Sequence, residues 1–191
     1  MSLTSAPRIE TARLVLRGPE TRDIEPMIAF LMDRPYADGF GAYDTRGEAW
    51  RWFSTNVGHW HIHGHGYFTI EAKETGTPIG ITGIWFPEGW PERELGWALF
   101  RGFDGKGYAF EAAVAARDWA YGALGLTTLT SNILPDNAAS KALATRLGAV
   151  YERTYENVEM GLDELWRHPG PDGGIAAPET GGMAAAAGGT P

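Results

Sequence analysis

The first chemistry in the sequence is offered by glycines. In the run GFDGKGYAFEAA, Gly102, Gly105 and Gly107 come after Leu95, Trp97 and Leu99 alternate at strand period, and before Ala112, Ala116 and Trp119 recur at helical spacing. A glycine turn therefore delivers the chain into a helix N-terminus. Such a turn presents consecutive backbone N–H groups without intrahelical partners, and the helix dipole adds about half a positive charge. Glycine lets a ligand approach the main chain, so phosphate oxygens are the natural ligand. The common nucleotide fingerprints do not fit: GxGxxG needs glycine where Phe110 stands, and the P-loop needs Ser or Thr where Gly107 follows Lys106.

A second stretch, SNILPDNAASKALATRLGA, sets Asn132 on a strand and Asn137 and Ser140 at the head of a helix. The two stretches together resemble the GNAT superfamily of N-acetyltransferases, whose acyl-coenzyme A pyrophosphate loop reads Gln/Arg-x-x-Gly-x-Gly/Ala. Gly105 and Gly107 fall in place, while Gly102 stands where Gln or Arg is usual. The GKGYA core followed by Glu111, and the Pro-x-Asn-x-x-Ser helix with its Leu-Gly ending, are most similar to the branch containing ribosomal-protein-alanine N-acetyltransferases. The resemblance covers about residues 13–169.

The resemblance implies acetyl-coenzyme A as cofactor and acetyl transfer from its thioester to an amine. Backbone donors across Phe103, Asp104, Gly105, Lys106, Gly107 and Tyr108 would hold the pyrophosphate, with Asn137 and Ser140 completing the pocket and Asn132 beside the pantetheine arm. The fourth and fifth strands would splay, laying Trp97, Leu99 and Phe100 along the cofactor and freeing an N–H for the oxyanion. Glu94 is the candidate general base, acting directly or through water, with Glu71 and Glu111 as alternatives; Glu111 suits capping of the helix donors better. Many members protonate the thiolate with a tyrosine whose place is taken here by Ala144, leaving Ser140, or an ordered water, as general acid. The loop between the first two helices helps form the acceptor site in this superfamily, so Tyr36, Phe40 and Tyr43 either line that site or cover the core. Asn137 and Ser140 also have a plain reading as helix caps, although Asp136 can cap instead.

The acceptor decides how much a base must do. An α-amine of pKa ~8 costs ~1.4 kcal/mol to deprotonate at pH 7, against ~4.6 kcal/mol for a lysine-like amine. The acceptor is left open between a protein N-terminus and a small-molecule amine, because specificity sits in loops such as 34–44 and 157–163. A rival reading is a non-catalytic acyl-coenzyme A sensor, motivated by Ala144 and Gly102.

Composition sets the limits. With 191 residues the chain suits one domain with a real core. The absence of cysteine excludes a disulfide framework, a thiolate zinc site and covalent Cys catalysis. The formal charge of −8 argues against non-specific nucleic-acid binding and suits a basic acceptor. No apolar run approaches the ~20 residues of a membrane span, and MSLTSAPRIE lacks a secretory layout, so a cytoplasmic monomer or homodimer is expected. His59, His61, His63 and His65 alternate, but the first two fall in a predicted helix, where such a pair points to different faces, and no metal is expected.

These residues must be positioned by a mixed α/β fold: a central, mostly antiparallel seven-stranded sheet, splayed between strands 4 and 5, with helices on both faces. Strands are predicted at 13–18, 67–72, 78–86, from Glu94, at 126–133, 150–155 and 159–167, and helices at 21–32, from Arg46 to near Gly64, from Tyr108, and from Pro135 or Asp136 to Leu147. Thr45 with Glu48 forms a capping box, and the helix after it should carry Trp50, Trp52, Phe53 and Val57 inward. Residues 34–44 read as irregular. Residues 1–168 form the domain, and 169–191, rich in Gly, Ala and Pro, a flexible tail.

Overall fold

The computed structural model describes residues 3–158 and 160–175. In order, the elements are β1 (Ile9–Glu10), β2 (Leu14–Arg17), a 3-10 turn (Thr21–Asp23), α1 (Ile24–Leu31), α2 (Arg34–Ala37), α3 (Arg46–His63), β3 (Tyr67–Ala72), β4 (Thr77–Trp85), β5 (Glu94–Leu99), α4 (Tyr108–Leu124), β6 (Thr130–Ile133), α5 (Ala138–Arg146), β7 (Val150–Asn157) and β8 (Gly161–Arg167). They build one sheet of order β1-β2-β3-β4-β5-β6-β8-β7. The sheet has eight strands rather than seven, because Ile9–Glu10 folds back on β2 as a short edge strand.

Every neighbouring pair is antiparallel except β5 and β6, which run parallel and share a single paired position, Glu94 with Thr130. The Thr130 amide donates to Arg93 O at 3.1 Å, and one residue on the Ser131 hydroxyl donates to Leu95 O at 2.6 Å. A side chain has replaced the main chain as the bridge, and beyond it the strands part. The root of this fork is pinned by Arg167, whose wholly buried guanidinium donates to both Glu92 oxygens at 2.6 and 2.8 Å, to Thr128 Oγ1 at 2.7 Å, and to Glu152. One cation thus ties together the chain entering β5, the chain entering β6, and β7 with β8.

α4 packs its alanine face, Ala112, Ala113, Ala116 and Ala120, against Phe68, Ile70, Ile84 and Leu95. Small residues let helix and sheet approach closely. On the other face α1 and α3 bury Met27, Ile28, Leu31 and Phe53 against Tyr67, Ile81, Trp85 and Phe100. The capping box of α3 is formed, with Glu48 N donating to Thr45 Oγ1 at 3.3 Å and Thr45 N to Glu48 Oε2 at 3.1 Å. Trp50 does not point inward: it is 51% exposed, since the buried stripe runs through Ala49, Phe53, Asn56 and Trp60.

Several boundaries differ from expectation. Residues 34–44, expected irregular, open with α2; β6 is only the last half of the 126–133 segment; and the final hairpin pairs out to Asn157 and Gly161. The segment after His168 begins folded, since Pro169 bridges Ile175 and Gly170 N donates to Gly174 O at 2.7 Å. The rest of the expected tail, 176–191, lies outside the described residues. Among the described residues no helix is long and apolar enough to cross a membrane.

Of the four alternating histidines, His59 and His65 are buried while His61 and His63 are exposed, and the rings of His59, His63 and His65 lie 4.5 to 5.6 Å apart. His59 Nδ1 lies 2.7 Å from His65 O while its Nε2 accepts from Phe86 N at 3.0 Å, and its ring stacks on Trp85. Burial pushes the His65 imidazole down to about 4 and lowers His59 as well, so both sit neutral at pH 7.

Candidate functional site

The glycine turn adopts the conformation its residues allow and others resist. Gly102, Gly105 and Gly107 have φ of 91°, 70° and 78°, the left-handed region. Among the described residues the N–H groups of Asp104, Gly105, Lys106 and Gly107 make no hydrogen bond to the protein, and those of Tyr108, Ala109 and Phe110 occupy the first turn of α4, where helices leave donors unpaired. The turn is braced from behind: Arg13 Nη1 donates to Lys106 O at 2.9 Å, Lys106 Nζ to Gly102 O at 3.1 Å, and the Tyr36 hydroxyl to the Asp104 carboxylate. Phe103 is not a free donor. Its N–H is spent on Phe100 O at 3.2 Å and its ring packs into the core.

From the turn a groove of about 1200 Å³ runs between β5 and α5, lined by Trp97, Leu99, Gly105, Gly107, Asn137 and Ser140 among others. Because Arg93 O and Leu95 O both face β6, strand alternation turns the main-chain groups of Trp97 and Leu99 the same way, into the gap where β6 has departed. Phe100 faces the other way, its N–H bound to Ile79 O at 2.8 Å and its ring buried in the core with α1 and α3, so it does not pair with a ligand. Asn137 is the N-cap of α5: its Oδ1 accepts from Ser140 N at 3.1 Å, a role that Asp136 does not take. Asn137 nonetheless also lines both the groove and the cleft beyond it, as does Ser140.

That cleft, about 760 Å³, opens at the fork. Glu94, the first residue of β5, stands in it with only 8% of its surface exposed; Trp90 Nε1 donates to its Oε2 at 2.6 Å and Asn132 Nδ2 to the same oxygen at 3.1 Å. Burial pushes its carboxyl up to about 7, outweighing those two hydrogen bonds, and Asp163 adds like-charge repulsion. Asp163, from β8, is itself raised to about 6 by burial. The other two candidate bases are spent elsewhere. Glu71 is paired with Arg17 and Arg22, and Glu111, instead of capping α4, accepts from Thr11 Oγ1 at 2.6 Å and from Arg13 N and Nε at 2.8 and 2.7 Å.

Phe40 and Tyr43 line the cleft, joined by Trp52, Tyr67, Trp85 and Trp90. Phe40, Trp52, Tyr67 and Trp85 are in mutual ring contact at 5.2 to 5.8 Å between centroids. Tyr36 stands apart from them, on the groove beside Asp104 and under the Arg101 guanidinium. Ala144, in the place of the tyrosine general acid, is wholly buried. Asp163, Tyr67, Trp85 and Trp90 were not singled out from sequence. Asp163 had a signal: in GLDELWR it shares the inward face with Leu165 and Arg167, an acid where strand alternation calls for an apolar residue.

The arrangement fits an acyl-coenzyme A. A diphosphate would meet unpaired amides at a helix N-terminus, and an extended amide-bearing arm would meet the free edge of β5 at Trp97 and Leu99. Comparison with known proteins agrees. Residues 13–150 match the family model described as acetyltransferase (GNAT) domain. The uncharacterised protein YkkB of Bacillus subtilis is 30% identical over 152 residues, 77% of this chain and 87% of its own length. The crystal structure of an acetyltransferase from Agrobacterium tumefaciens superimposes with a TM-score of 0.79 at 38% identity, over 86% of this chain and 95% of that one. A ribosomal L7/L12 α-N-protein acetyltransferase in complex with coenzyme A shares the fold, with a TM-score of 0.67 at 15% identity over 85% of this chain and 97% of its own.

Proposed function

The chain belongs to the GNAT acetyltransferase family, and from the fork between β5 and β6 we propose that it transfers the acetyl group of acetyl-coenzyme A directly to a primary amine in a ternary complex. It is an acyltransferase, and acetyl-coenzyme A is its donor. The observation that carries the finer reading is Glu94, a carboxylate at the crotch of the fork between a groove suited to the cofactor and an aromatic cleft suited to an amine.

When bound, the cofactor supplies an acetyl thioester whose carbonyl is open to attack. The amides from Asp104 to Phe110 would hold the diphosphate, and the main chain of Trp97 and Leu99 would pair with the arm, leaving the Trp97 N–H as a donor for the thioester carbonyl oxygen. Phe40, Tyr43 and their aromatic neighbours orient the amine. Glu94, with an affinity for protons matched to neutral pH, accepts the proton the amine loses. Ser140, whose hydroxyl has no protein partner among the described residues and reaches both groove and cleft, is the group that returns a proton to the leaving sulfur.

The test is thiol release from acetyl-coenzyme A measured over a panel of amines and peptide N-termini. Release that depends on the amine supports the reading. A thermal shift with acetyl-coenzyme A but no amine-dependent release from any acceptor overturns it.

A further inference from the structure

Among the described residues, Asn132 Oδ1, Asp163 Oδ1 and His168 Nδ1 are the buried side-chain atoms without a hydrogen-bond partner, and the first two belong to residues lining the cleft that holds Glu94. Both are acceptors. Asp163 is 2% exposed, and its other oxygen accepts from the neutral Asn157 Nδ2 at 3.2 Å. Elsewhere the buried acids are neutralised: Asp23 and Glu71 by Arg17, and Glu92 by Arg167. Glu94 and Asp163 have neutral donors alone.

A buried carboxylate without a cation is costly, and here the missing cation has room to come from a ligand. The attacking nitrogen cannot supply it, because that nitrogen must be neutral to attack and gives its proton to Glu94. A monoamine would therefore leave Asp163 unpaired at the moment of reaction. The rings of Phe40, Trp52, Tyr67 and Trp85, which line the same cleft, suit an ammonium on a short apolar linker.

Resting on the acetyl transfer proposed above, the geometry points to a diamine as the acceptor, one amine attacking beside Glu94 while the second, protonated, is held by Asp163 and Asn132. The nitrogen–carbon bond of the amide forms as the carbon–sulfur bond of the thioester breaks, and coenzyme A departs as the thiol. The product keeps one ammonium, so each molecule is acetylated once in this orientation.

The experiment compares kcat/KM for straight-chain α,ω-diamines with that for n-alkylamines of the same carbon number and for a short peptide with a free N-terminus. It is repeated in Asp163→Asn, with the acetyl-coenzyme A thermal shift reporting that the variant is folded. The expected result is a diamine to monoamine ratio of about tenfold or more in the parent protein, the worth of one charged hydrogen bond, which collapses toward one in Asp163→Asn. A ratio near one in the parent, an unchanged ratio in a folded variant, or a preference for the peptide overturns the diamine assignment while leaving amine acetylation standing. If Asp163→Asn does not fold, the parent ratio alone decides. No turnover with any amine, by contrast, removes the underlying reading as well.

Discussion

Replacing Glu94 by Gln should make the protein more stable and less active, and the two effects should follow pH in a defined way. Gln keeps an oxygen to accept from Trp90 and Asn132 and removes only the charge. In the folded protein the Glu94 carboxyl titrates at about 7, against an ordinary 4.5 in the unfolded chain. Between those values the folded state holds the extra proton, so stability falls as pH rises from 4.5 to 7 and is level above. The shift corresponds to about 3 kcal/mol. Glu94→Gln should therefore match the parent in urea denaturation near pH 4.5, gain steadily above it, and reach its full advantage of that order above pH 7. Its activity should drop by about a hundredfold, the usual worth of a general base, and its pH–rate profile should lose the limb that rises through neutrality in the parent. Equal stability of the two proteins at pH 8, or a retained rising limb with an acceptor of the same pKa, would refute the assignment of Glu94 as a buried base.

Three further substitutions probe other parts of the site. Gly107→Glu places a side chain at φ 78° and a negative charge among the proposed phosphate donors, so it should abolish the acetyl-coenzyme A thermal shift at about 1 kcal/mol of stability; an undiminished shift in the folded variant contradicts the pocket. Asn137→Ala removes the α5 cap and a wall of the groove, and should cost about 1 kcal/mol in denaturation while raising KM for acetyl-coenzyme A. Arg167→Met leaves Glu92 buried without its partner and should cost about 3–5 kcal/mol by urea denaturation, since it unpins the root of the fork.

The strength of each sequence signal explains what could be read in advance. The glycine turn was legible because left-handed backbone leaves few residue choices, and the capping box of α3 because its two side chains act at fixed spacing. The edge strand β1 was not, since two residues make no periodic pattern, and Trp50 was misplaced because α3 has polar residues and tryptophans around most of its circumference. Glu94 stands out in the sequence by its place on the central strand. Its partner Asp163 lies far along the chain, and only the sheet order, which inserts β8 beside β6, brings the two into one cleft. Asn137 is the observed cap of α5 and also lines the groove, so its capping role does not compete with the proposed contact. Phe103 shows the reverse: it sits inside the motif, yet the turn spends its amide internally.

The most direct measurement is a crystal structure with acetyl-coenzyme A. The expected result is a diphosphate within hydrogen-bonding distance of the Gly105, Lys106, Gly107 and Tyr108 amides, with the thioester in the gap between β5 and β6 beside the Glu94 cleft. A diphosphate bound elsewhere, or a thioester held outside that gap, would contradict it.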